Sequence, residues 1–240
     1  LVYEQKNGSE TLRIYHRKAV EIAELRRQVG DKIGALTPED AQKELDNLLL
    51  QTKEFNELRM QLPPRDLFLA KYAVVPINDH TVSFVIPPGV SGAHIIREAH
   101  ELVTDRCFLN DRAYETLQQR SFAAINSKPV HLCVDGHVQG TIDKTELEQR
   151  HLLEERGLTL ASERDVAIAF ALFYIARGEP LFGWFNARMG WTYYIRSEGA
   201  RGSVLMFDTA GLRSHSVEAT KSRPHVAAAA YVPSLQGNHS

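Results

Sequence analysis

The sequence predicts an α+β chain in three parts. A helical hairpin occupies residues 1–62 and a small α+β segment residues 63–127. A domain over 128–240 then runs strand, helix, helix and a set of short antiparallel strands. Three observations predict this. Apolar residues recur every three or four positions between residues 10 and 62 and stop at Pro63-Pro64. Period-two alternation marks 80–86 and 130–134. Beyond Ala176 only short, aromatic-rich runs remain, separated by glycine and polar turns.

In the first part, Leu12, Tyr15, Ala19, Ile22 and Val29 form the stripe of an amphipathic helix over 10–29, which Gly30 and Gly34 are expected to break. Thr37 then caps a second helix, with Pro38 at its first position and acids in its first turn. That helix carries Leu45, Leu48, Leu49, Thr52, Phe55, Leu58 and Leu62. Two stripes of this length close on each other and leave part of each uncovered. The pair reads either as a docking or oligomerisation arm or as an ordinary core-packing hairpin.

In the second part, Val82, Phe84 and Ile86 give a half-buried strand that ends at Pro87-Pro88-Gly89. Ser91 caps a helix through Val103, and Asn110 or Asp111 caps another. In the third part, Val130, Leu132 and Val134 form a strand. Asp143 or Thr145 starts a helix, and Ser162 caps the next, which runs to Ala176. Strands are expected at 182–188, 191–196, 203–208, 215–218 and 225–232. The small residues at 227–230 would allow a helix to approach closely.

Hydrophobic residues at 43% and charged residues at 24% exclude wholesale disorder, and no apolar run approaches the length of a membrane span. With 28 Lys and Arg against 30 Asp and Glu, no global field draws the chain to nucleic acid or anionic lipid. Cys107 and Cys133 are too few for a disulfide scaffold or a tetra-cysteine zinc site, leaving two thiols or one bridge. This usage favours a soluble protein of a reduced compartment or an assembled particle. No cleavable signal is visible, and the opening on Leu1 reads as a fragment or a processed form.

Residues 128–232 resemble the C-type lectin-like fold. The carriers are Gly157, then Leu160-Ala161-Ser162 and Glu163 between the two helices, and Phe182-Gly183-Trp184-Phe185 at the first late strand. The resemblance implies a last strand returning beside the first, and binding rather than catalysis. The family's paired cysteines and its calcium-binding tripeptide are absent, Glu179-Pro180-Leu181 lacking the amide that calcium would need. Calcium-dependent sugar binding is therefore not implied.

No nucleophile elbow, phosphate-binding glycine loop or dinucleotide fingerprint is present, and no cofactor is implied. His131, Cys133, Asp135 and His137 alternate along one strand and are the candidate metal ligands. A tetrahedral ion would take at most two neighbours from an extended strand, the rest coming from elsewhere. The candidate recognition face is Trp184, Asn186, Arg188, Trp191, Tyr193, Arg196, Arg201 and Arg213, joined by His215. Arginine and aromatic side chains combine large buried area with directional hydrogen bonds. Alternation along antiparallel strands sends half of such residues to the core instead.

These features point to a noncatalytic interaction or assembly protein. Its partner would be another protein or a second copy bound through the hairpin, and carbohydrate is suggested by fold analogy alone. The alternatives are a metal-assisted hydrolase built on His131, Cys133 and Asp135, and a calcium-independent carbohydrate-binding module.

Overall fold

A computed structural model describes residues 2–102, 120–178, 194–198, 203–208, 211–216 and 226–233. The chain is α+β and divides into two compact units, Leu1–Ala70 and Lys71–Ser240.

The first unit is the hairpin. Helix α1 spans Val2–Lys32, a 3-10 turn follows at Ile33–Ala35, and α2 spans Pro38–Gln61. Gly30 does not break α1. One glycine costs a helix about 1 kcal/mol, and the buried Val29 and the cationic Lys32 at the helix's negative end hold the last turn. Thr37 caps α2 as expected, its hydroxyl accepting from the Asp40 amide at 3.2 Å. Ile22 and Val29 are buried, and Lys18 Nζ reaches Glu54 Oε2 at 2.9 Å across the two antiparallel helices. Pro63-Pro64 ends α2 but also starts α3, Pro64–Lys71. Pro64 lacks the amide that a first helical turn leaves unpaired anyway, and Asp66 sits at the positive end.

The second unit holds two sheets. Strands β1 (Val75–Pro76), β2 (Thr81–Ile86), β3 (Val130–Asp135), β4 (Thr159–Leu160) and β9 (Ala230–Tyr231) form one in the order β1-β2-β3-β9-β4, every pairing antiparallel. Because β2 pairs with β3 from Thr81↔Asp135 to Ile86↔Val130, the sequence boundary at 127/128 falls inside a single sheet and a single unit. The other sheet runs β7 (Gly211–Ser216), β6 (Ser203–Asp208), β5 (Tyr194–Arg196), β8 (Val226–Ala228). Here the expectation of purely antiparallel strands fails, since β5 and β8 are parallel. The strand expected at 215–218 begins earlier, at Gly211.

Helix α4 (Gly92–Glu101) is capped by Ser91, and a short α5 follows at Arg120–Ala123. Helix α6 (Glu146–Glu155) opens on Thr145 with a reciprocal capping box to Glu148. Gly157, at φ +67°, turns the chain out of α6 in a conformation that suits glycine. The next residues form β4 rather than a plain junction, and Ser162 caps α7 (Glu163–Arg177). Helix α7 is buried almost all round, from Val166 to Phe173. It meets α4 closely: a Cβ on Gly92 would lie 2.7 Å from Arg164 Cγ.

The small-residue run at 227–230 is strand. Ala228 and Ala230 join Val138, Leu153 and Leu160 in a buried cluster, flanked by Leu152 and Leu158, so it is α6 that uses the closeness the alanines permit. Ala229 bonds through its amide to Arg196 O and through its carbonyl to the Ala161 amide. It marks the point where one continuous stretch leaves the second sheet for the first.

Candidate functional site

Arg196 is the residue of the expected recognition face whose side chain is described, and it lies in the interior at 1% exposure. Strand β5 turns it toward α6, where Nε donates to Gln149 Oε1 at 2.6 Å and NH1 to Glu146 Oε2 at 2.9 Å. Glu146 also accepts from Arg150, which reaches Glu198 at 2.7 Å. The Gln149 amide donates to the carbonyls of Thr141 and Val226. Burial depresses the Arg196 pKa, and the facing Glu146 opposes that effect while Arg150 adds to it. The group is therefore a structural lock joining α6, β5 and β8. Nothing in local alternation separates such an arginine from a surface one, because its partners lie about fifty residues away.

Trp184, Asn186, Arg188, Trp191, Tyr193 and Arg201 lie outside the described residues. Arg213 and His215 are placed by backbone on β7, opposite Met206 and Val204 of β6.

The candidate metal strand is distributed differently. His131 is exposed near the start of β3, and Cys133 is a free, buried thiol. Burial, and secondarily Asp135, pushes that thiol above its ordinary pKa and away from the reactive thiolate. Asp135 and His137 come together with a residue that the sequence reading omitted, His80. His80 Nδ1 lies 2.8 Å from Asp135 Oδ1, the His137 amide donates to the same oxygen at 2.8 Å, and the two rings are 6.1 Å apart. Burial and the neighbouring His80 lower the His137 pKa, against the pull of Asp135. The antiparallel register that opposes Thr81 to Asp135 is the signal that brings His80 here. Among the described residues, no group of three or more His, Cys, Asp or Glu is arranged to hold a metal ion.

A second polar cluster sits on α4. Tyr72 is buried, and its hydroxyl donates to Glu98 Oε2 at 2.5 Å, beside Lys71 Nζ at 2.8 Å. Burial raises the Tyr72 pKa. For Glu98 burial acts upward, but the hydrogen bonds from Lys71 and Tyr72 offset it and hold the carboxyl below its ordinary range.

The hairpin carries apolar side chains that its own packing leaves out. Leu49 is 66% exposed, Leu50 58% and Met60 88%, whereas Leu45, Leu48, Thr52 and Phe55 are half-buried. Leu49, expected in the stripe, therefore lies beside it. No family model, curated protein or solved structure matches the chain. Among the described residues, no helix is long and apolar enough to cross a membrane.

Proposed function

We propose that the chain is a noncatalytic interaction or assembly protein. In this reading the hairpin docks on another protein or a second copy. The strand-helix-helix-strand region presents a recognition face in the manner of a C-type lectin-like domain. The observation that carries the reading is the exposed apolar surface of α2, Leu49, Leu50 and Met60, on a hairpin that forms a compact unit of its own. Leucines and a methionine left in water on one helix mark a surface that gains by being covered. The lectin-like half of the reading is supported by element order and by β9 returning antiparallel to β3. Arg196 is removed from the face, since it locks the interior.

The test is affinity capture by the full chain from the cells that make it, beside the double variant Leu49→Glu, Met60→Glu. Proteins or copies held by the parent chain and lost from an equally stable variant support docking. Identical capture by both chains rejects it.

A further inference from the structure

The docking reading leaves the occupant of the hairpin open, and the hairpin's charges narrow it. Helix α1 carries seven Lys and Arg against five Asp and Glu, whereas α2 carries three against six. The two helices thus have opposite net charge. The exposed apolar residues of α2 are also placed for a lateral contact. At about 100° per residue, Leu49 and Met60 fall within about 20° of each other, while Leu45 and Thr52 of the inward stripe lie roughly 40–60° away from Leu49. Leu49 and Met60 therefore form a ridge on the flank of α2. Asp46 and Glu57, both exposed, stand one turn before each of them.

We infer that the occupant of this flank is a second copy of the chain. Two hairpins pack about a two-fold axis as a four-helix bundle, with α2 of each copy set against α1 of the other through Leu49 and Met60. A two-fold contact uses the same surface twice, so each acidic helix meets the partner's basic one and each basic helix the partner's acidic one. Around such a bundle every neighbouring pair of helices has opposite net charge. A second copy therefore brings both complements without further design, and like-charged registers are disfavoured. The inference rests on the proposed docking role of the hairpin and names its partner.

The experiment is the mass of the full chain in solution by sedimentation and light scattering over a wide concentration range. A dimer is expected, with a dissociation constant that rises at least about tenfold in Leu49→Glu, Met60→Glu and that also rises with salt. Charge reversal gives an independent reading. Asp46→Lys, Glu57→Lys on one chain and Arg26→Glu on another should each weaken the homodimer, and mixing the two chains should restore association as a heterodimer. Impaired folding would not be repaired by mixing. A monomer at every concentration, or a dimer indifferent to Leu49 and Met60, overturns the inference. A monomer whose capture of another protein still depends on Leu49 and Met60 overturns the second copy and keeps the docking reading. A monomer with no such dependence overturns both.

Discussion

The hairpin and the two-sheet unit solve the same problem of burying a helix in opposite ways. In the hairpin, α1 and α2 each turn one narrow stripe inward, the charged side chains pair along the outside, as Arg27 does with Glu24 and Asp31, and Leu49, Leu50 and Met60 are left in water. In the two-sheet unit, α7 is covered on nearly every side, and the charged groups that enter the interior are bonded there, as Arg196 is to Glu146 and Gln149 and Asp165 is to Arg164 and Tyr231. The unit with enclosed polar groups owes its stability to partners within the chain. The unit with exposed apolar groups leaves part of its apolar surface in water.

The sharpest way to break this contrast is Arg196→Ala, which leaves Glu146 buried without one of its cations. A loss of about 3–5 kcal/mol is expected in the unfolding of the two-sheet unit, read by urea denaturation. A loss within the range of a surface substitution would place Arg196 with the solvated charges of the hairpin instead. Next in size is Gly92→Ala. The new methyl group meets Arg164 Cγ at 2.7 Å and Ile168 Cδ1 at 3.2 Å, and Arg164 is itself held to Asp165 at 2.8 Å. Overpacking there should cost about 1–3 kcal/mol by thermal melting.

Those two sites also show what the sequence discloses and what it withholds. Helix starts were legible because a cap is a local pattern, and Thr37, Ser91 and Ser162 all accept from a backbone amide three residues on. The first sheet strands were legible from period-two alternation. The strand β4 was not, since two residues carry no period, and neither was α3, because Pro63-Pro64 marks an end and a beginning alike. The parallel pairing of β5 with β8 and the burial of Arg196 depend on segments far apart in the chain. Residue type by itself assigned Arg196 to the recognition face, although alternation sends half of such residues to the core. His80 was missed for the same reason, as it reaches Asp135 only through the register of β2 on β3. The other aromatic and arginine positions of that face, Trp184 to Arg201, fall outside the described residues.

A smaller effect compares the two units directly. Thr37→Ala in the hairpin and Thr145→Ala in the two-sheet unit each remove a cap, at about 1 kcal/mol. Hydrogen exchange should show the first as fraying confined to the start of α2. The second should also take from the Glu148 carboxylate its bond to the hydroxyl while leaving the bond to the Thr145 backbone amide, so that a pKa depressed by both rises only in part.

The least effect is expected with acid. Unfolded His137 takes up a proton near its ordinary value of 6.5, whereas burial and His80 make the folded ring resist it. Its contribution is therefore complete above that pH and falls as the pH drops toward the lower folded value. A set of melting curves across that interval should flatten in His137→Gln, and an unchanged slope would detach His137 from the acid response.

The stretch Val226–Tyr231 gives β8 to one sheet and β9 to the other, on either side of Ala229. On a ribosome these residues are made after every other strand of the two sheets. Until they emerge, β5 lacks its parallel neighbour, and β3 and β4 lack the strand that joins them, so neither sheet can close. The hairpin has all its residues long before. The order of synthesis thus separates the two units in time: the hairpin is complete first, while the part that encloses its own core waits for β9.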